Sequence, residues 1–261
     1  MRTAIVASIV ALVLPAVFPA PSDARVVRIV VEQKRVVADG KSFGDVAEDI
    51  AKREGYTVVA HILYPANTSE VQSEVQKVKA SNPDVILQAS YLPDSLLFVK
   101  TYKQQGVDVP LIAQDAGFVD AGFVGGLGKD ANYFFTRDTF AINVKLRNKG
   151  VPLINELYKL RSGGKNLDGN VAREFTAVTV MADALNRAKS TDPEKLRAAL
   201  AATNIEGTRT IMPWKGVKFD EKGQNILASA ILIQLQDGEN YVAVWPKVNA
   251  VKAPILPYKG W

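Results

Sequence analysis

The chain has 261 residues, 48% of them hydrophobic and 23% charged, with 32 basic side chains against 27 acidic for a net charge of +5. At this length a folded chain buries roughly 70–75% of the surface that its unfolded form exposes, so one or two domains can form without covalent staples. Cysteine is absent and His61 is the single histidine, which excludes disulfides, thiolate metal sites, iron–sulfur clusters, cysteine nucleophiles and any multi-histidine metal centre. The basic excess is not gathered into a patch. Charges alternate in sign, as at residues 52–54 (KRE) and 194–197 (EKLR), which is the pattern of a solvated helix face, and no nucleic-acid partner is expected.

Residues 1–24 have the form of a secretory signal peptide. Arg2 opens it, residues 4–18 are apolar or small without interruption, and Ser22 and Ala24 place small side chains where a signal peptidase reads. The apolar run is about 15 residues, short of the roughly 20 that span a bilayer, so a cleaved leader is expected in place of an anchor. The mature chain is then 25–261 and periplasmic. Mass spectrometry of exported protein should find Arg25 as its first residue; an intact Met1 would show that the leader is retained.

A helix is predicted over residues 43–54, with Val46, Ala47, Ile50 and Ala51 on its apolar face and Gly55 as its stop. The strand before it is either 35–38 (RVVA) or the stronger 26–31 (VVRIVV). Residues 57–63 (TVVAHIL), 84–89 (DVILQA) and 110–114 (PLIAQ) read as three further strands. Between them Val71, Val75 and Val78 recur at helical spacing, with Ser69 as a cap, and residues 96–99 supply the apolar content of a helix ended by Gly106. Strands alternating with helices at this spacing imply right-handed crossovers, hence an α/β fold with a parallel sheet and flanking helices.

The second half differs. A helix is predicted over 152–161, broken by residues 162–164 (SGG), and a longer one carries the stripe Val171, Phe175, Val178, Ala182 and Leu185. Residues 191–194 (TDPE) start another helix, with proline where its missing N–H costs little. Strands at 227–235 and 241–245, joined by 236–239 (QDGE), form a C-terminal β-hairpin.

In parallel α/β sheets ligands sit at the carboxyl ends of the strands. That rule marks Ser42 and Phe43, Tyr64 and Pro65, Ser90 and Tyr91, and Gln114 and Asp115. Each has a plainer reading: Asp115 as a helix cap, Tyr91 as a half-buried loop aromatic, Phe43 as core. His61 reads as a packed or edge residue, and Trp214 and Trp245 as packing residues. Residues 125–129 (GGLGK) fail as a phosphate loop because Phe123 and Asp130 stand where glycine and Ser or Thr are required. Residues 162–165 (SGGK) lack the strand such a loop needs. No cofactor and no enzymatic activity are expected.

The run FGDVAEDIAKREGYTVVAHILYPANTSEVQSEVQKVKASNPDVILQASYLPDSLLFVKTYKQQGVDVPLIAQDAGF resembles type I periplasmic solute-binding proteins, in particular the branched-chain amino acid binders of ABC importers. The likeness continues through NVAREFTAVTVMADALNRAKSTDPEKLRAALAATNIEGTRTIMPWKGVKFDEKGQN and covers about residues 35–246. It implies a monomeric extracytoplasmic binder of a small amino acid or similar solute, partnered by an ABC permease. Phe43, Tyr91 and Asp115 match the family's second-lobe contacts, Asp115 taking the ligand's ammonium, while Phe43 lacks the hydroxyl of a family tyrosine. By the same resemblance the domains are a signal peptide (1–24), a lobe 2-like α/β domain (25–140), a helical segment like part of lobe 1 (141–205), and returning strands, hairpin and tail (206–261). The opening sequence of lobe 1 has no counterpart, and the weak 35–38 run suggests a join or deletion nearby. The stripe on the long helix is therefore expected to be repacked or exposed. An extracytoplasmic sensor of the same fold and a non-binding remnant are the alternative readings.

Overall fold

Residues 57–64 and 85–89 are dominated by β-branched and aliphatic side chains, which suit a pleated backbone covered by other layers. The computed structural model describes residues 27–33, 43–114, 116–144, 149–238 and 241–255; the expected leader and the candidate strand at 35–38 lie outside them. The chain divides into two compact units, one made of residues up to 137 with 232–241 and 253 onward, the other of 138–231 with 242–252.

In the first unit β1 (Val27–Gln33) lies between β2 (Thr57–Tyr64) and β3 (Val85–Ala89) and is parallel to both. Beyond β3 come β4 (Leu111–Gln114) and β5 (Phe135–Asp138), also parallel, and then β8 (Ile231–Leu235). The stronger of the two candidate first strands is the one that forms. It is seven residues long.

Helix α1 (Phe43–Arg53) follows β1, α2 (Gln72–Ala80) follows β2, α3 (Leu92–Gln105) follows β3 and α4 (Ala121–Leu127) follows β4. Gly106 ends α3 in the left-handed conformation, with φ 66°. Ser69 is not the cap of α2. The helix begins after Val71, whose side chain is fully buried, so its start is set by core packing and lies beyond the reach of the Ser69 hydroxyl. Neither β5 nor α4 was predicted. Three glycines in AGFVGGL argue against a helix, yet Asp120 caps it by accepting from the Gly122 N–H at 2.7 Å. Gly122 and Gly126 face Leu92 and Leu96 of α3, and a Cβ at either would come within 2.8 Å of a leucine methyl. Close helix packing overrides propensity here.

Phe98 anchors the core of this unit. Its ring centre lies 4.7 Å from that of Tyr64 and 5.8 Å from that of Tyr102, and Val71, Val75, Val78 and Ile86 belong to the same cluster.

The second unit contains α5 (Val151–Ser162), α6 (Gly169–Ala188) and α7 (Pro193–Ala201), with a small antiparallel pair, β6 (Asn204–Glu206) and β7 (Gly216–Lys218). Asp168 and Asp192 cap α6 and α7 by accepting from Val171 N–H and Lys195 N–H. The Asp138 carboxylate sits against Gly169, where a Cβ would meet it at 2.1 Å, and Arg173 donates to it at 3.0 Å. The face that α6 buries is Gly169, Ala172, Thr176, Val180 and Ala184, and the stripe of larger side chains is in part exposed, one of the two outcomes expected for it. In that stripe Phe175 is 41% exposed and Val178 70% exposed. The strand β9 (Tyr241–Trp245) follows β8 through the expected turn, where Gly238 has φ 80°.

Phe98→Ala should destabilise the chain by about 3–5 kcal/mol, the range for removing a fully buried aromatic ring. Urea unfolding followed by circular dichroism checks this, and a loss under about 1 kcal/mol would contradict the packing described.

Candidate ligand-binding site

The order β2-β1-β3-β4-β5 reverses direction at β1: the chain steps outward to β2, then crosses back to β3. Loops leaving the carboxyl ends of β1 and β3 therefore diverge and open a crevice, the position at which such sheets take ligands. Phe43 begins the helix after β1, and Tyr91 is the N-cap residue of the helix after β3. Both helices point their N-termini, with their unpaired N–H groups and partial positive charge, toward the carboxyl ends of their strands. Gln114 ends β4. Ser42 and Asp115 lie outside the described residues.

The structure brings Ser90 and Tyr91 together with the turn that follows β4. That turn is a short 3-10 segment, Ala116–Phe118, and its Gly117 N–H donates to the Ser90 carbonyl at 3.2 Å. A Cβ on Gly117 would lie 2.4 Å from the Tyr91 carbonyl carbon and 2.6 Å from the Ser90 oxygen, so only glycine permits this approach. The ends of β3 and β4 are thereby pinned to each other.

Tyr91 is 42% exposed, with no side-chain capping bond to its helix. Ser90 is the opposite: it is fully buried, and its hydroxyl accepts from Tyr64 Oη at 2.5 Å and from Gln88 Nε2 at 2.9 Å. Gln88 Oε1 in turn accepts from Tyr102 Oη at 2.7 Å. Of the sequence-predicted residues, then, Tyr91 offers a surface to solvent, whereas Ser90 holds the turn on which Tyr91 stands. Gln88 and Tyr102 were not singled out from the sequence. The available signal was a lone amide in the otherwise apolar run VILQA, which must find a buried partner. Burial, and then the neighbouring Tyr64, holds the Tyr102 phenol well above its usual range. Tyr241 is raised for the same first reason and donates to the Phe118 carbonyl at 2.6 Å.

Asp94, in the first turn of α3, was also missed. It is 1% exposed, and burial raises its carboxyl above the ordinary aspartate value, against the opposing hydrogen bond from the backbone of Asn67. His61 lies on β2 at the sheet edge, its Nδ1 3.3 Å from Glu48 of α1. Trp214 donates from Nε1 to the Ser229 carbonyl and packs on the clusters of the second unit. Gly125 and Gly126 lie inside α4 and Gly163 ends α5, so neither glycine run forms a strand-to-helix phosphate loop. Among the described residues no group of three His, Asp or Glu side chains could hold a metal ion, and no helix is long and apolar enough to cross a membrane.

The sequence profile of the periplasmic binding protein family matches residues 28–239. The chain belongs to that family. It is 32% identical over 222 residues to a Leu/Ile/Val-binding protein homolog of Brucella suis, covering 84% of this chain and 55% of the relative. This periplasmic binding protein chain thus spans a little over half the length of that relative. Its fold is that of type I periplasmic binding proteins. A leucine-binding protein of Thermotoga maritima superposes with a TM-score of 0.76 at 18% identity, over 92% of this chain and 65% of that one. A Rhodopseudomonas palustris ABC transporter solute-binding protein in complex with benzoate gives 0.76 at 17% identity, over 96% and 64%.

Asp94 should make the stability of this family member pH-dependent. A carboxyl raised on folding binds more protons in the folded state, so its contribution is most favourable at low pH and declines as pH climbs from about 4 through the folded-state value. Asp94→Asn should remove that decline and leave the variant more stable than the parent near neutral pH. Urea midpoints across the acid range check this; parallel profiles for the two proteins would contradict it.

Proposed function

We propose that the chain is a non-catalytic, extracytoplasmic solute-binding protein of an ABC importer, taking branched-chain amino acids or related small solutes and delivering them to a permease. The observation that carries this reading is the strand-order reversal at β1, with exposed Tyr91 at the helix N-terminus beside it and the β3 and β4 ends clamped through Gly117. A zwitterionic ligand suits such a crevice. The N-termini of α1 and α3 favour its carboxylate, and Asp115, which follows β4 directly in sequence, supplies a countercharge for its ammonium. Tyr91 gives a ring wall for an aliphatic side chain. The relatives support the same substrate class, being described as Leu/Ile/Val-binding and leucine-binding, while the solved complex with benzoate is consistent with related small solutes.

In this proposal the first unit corresponds to lobe 2 of the family and the helices of the second unit to part of lobe 1. The chain spans just over half of its relative's length, which favours a second reading as a remnant with an incomplete site. Calorimetry with leucine, isoleucine and valine separates the two. Weak binding is expected, because an open crevice leaves much of the ligand solvated. Asp115→Ala should weaken it further by up to about 1 kcal/mol, the scale of a solvated ion pair, and by about 2–5 kcal/mol should the site prove closed enough to desolvate the pair. Micromolar or tighter binding by a monomer would show that the site is complete. Binding unaffected by Asp115→Ala would remove Asp115 from it, and no heat with any of the three would favour the remnant.

A further inference from the structure

The second unit holds a pocket of about 170 Å³ lined by Ile154 of α5, Phe175 and Val180 of α6, Ile205 of β6 and Ile211. Thr176, Thr179 and Thr210 also line it, and each commits its hydroxyl proton to a backbone carbonyl. Thr176 donates to Ala172 at 2.8 Å, Thr179 to Phe175 at 2.9 Å and Thr210 to Gly207 at 3.2 Å. The threonines therefore bring no unmet donor to the pocket. A wall of this kind is poorly suited to water, which needs two to four polar partners. An apolar cavity of about 150 Å³ takes up benzene, so this pocket has room for a single aromatic ring.

One charged side chain lines the same pocket. Arg209 is exposed, so it stands where the pocket opens to solvent, and the ring of Phe175, 41% exposed, reaches the same opening. Among the described residues the Arg209 guanidinium makes no hydrogen bond, and its ion pair is with Asp183 Oδ1 at 3.7 Å. The other oxygen of that carboxylate accepts from Arg187 Nε at 2.8 Å. Two guanidinium groups thus share one carboxylate, which leaves a net positive charge and available donors beside an apolar pocket. Small-molecule sites have this composition: an apolar lining for the body of the ligand and a few polar groups that fix its orientation. A planar guanidinium matches a carboxylate, which it can bind through two parallel hydrogen bonds.

We propose that this pocket is a second ligand site, taking a single-ring aromatic carboxylate whose ring enters among Ile154, Phe175, Val180 and Ile205 and whose carboxylate meets Arg209. The site goes beyond the solute crevice proposed above, since every residue lining it belongs to the second unit. The ring gains by leaving water and by contact with Phe175. The carboxylate stays at the mouth, where its pairing with Arg209 is that of a solvated ion pair.

Methyl-detected NMR of the full-length, isoleucine-labelled chain tests this, with phenylacetate and toluene as probes. Phenylacetate should shift the signals of Ile154, Ile205 and Ile211 with a dissociation constant of about 1 mM or tighter, and leave Ile62 and Ile86 of the first unit in place. Toluene should act on the same signals. Arg209→Gln should weaken phenylacetate binding by roughly fivefold, the scale of an exposed ion pair, and leave toluene binding unchanged. Thr179→Phe, which puts a ring into the pocket, should abolish the shifts with both probes. Should that variant lose the parent's circular dichroism spectrum, Thr179→Leu serves in its place. The proposal is overturned if phenylacetate moves none of the three signals or moves Ile62 and Ile86 instead. It is overturned as well if phenylacetate binds unchanged after Arg209→Gln or after the Thr179 substitution, or if Arg209→Gln weakens both probes alike.

Discussion

Gln88 stands in the middle of a strand whose five side chains are all buried, and an amide placed there must find its partners inside the protein. Its oxygen accepts from Tyr102 on α3, its nitrogen donates to Ser90 at the strand's end, and Ser90 accepts again from Tyr64 at the end of β2. This chain of hydrogen bonds ties β2, β3 and α3 together at the edge of the crevice. Breaking any link would leave a buried polar group unsatisfied, at a cost of about 1–3 kcal/mol. The turn that bears Tyr91 is therefore held from below by polar contacts and from the side by Gly117.

The division of labour within that turn has a physical basis. A hydroxyl that already accepts two hydrogen bonds in a fully buried position is suited to holding backbone. An aromatic ring with part of its surface in water is suited to meeting a solute. Adjacent residues in the sequence thus do different work because strand alternation turns one inward and the helix start turns the next outward.

In the second unit the larger apolar side chains of α6 do not coincide with its buried face. Gly169, Ala172, Thr176, Val180 and Ala184 form the buried side of α6, and at Gly169 the absence of a Cβ is what lets the Asp138 carboxylate approach. The larger residues Phe175 and Val178 lie on the opposite side. Size alone is a poor guide to burial on such a helix. What decides is which face finds another element within reach.

Much of the first unit was legible in the amino-acid order. Continuous β-branched runs such as TVVAHIL and VILQA, separated by helical periodicity and stopped by Gly55 and Gly106, specify alternating strands and helices, because these signals are local. The carboxyl-end positions of Tyr91 and Gln114 followed from the strand limits alone. Other features depended on contacts between distant segments. Choosing VVRIVV over RVVA as the first strand was a matter of pairing with β2 and β3. Helix α4 forms against its glycine content because Leu92 and Leu96 accept its close approach. Ser90 became a buried support, and Tyr91 an exposed one, only once Tyr64 and Gln88 closed on the Ser90 hydroxyl. The sequence by itself determined the alternation of strands and helices from β1 to β4 and the strand ends that mark the candidate site, since propensity and periodicity act over a few residues. The tertiary structure alone decided the reversal at β1, the buried face of α6 and the partners of each polar group, since those depend on which remote surfaces meet.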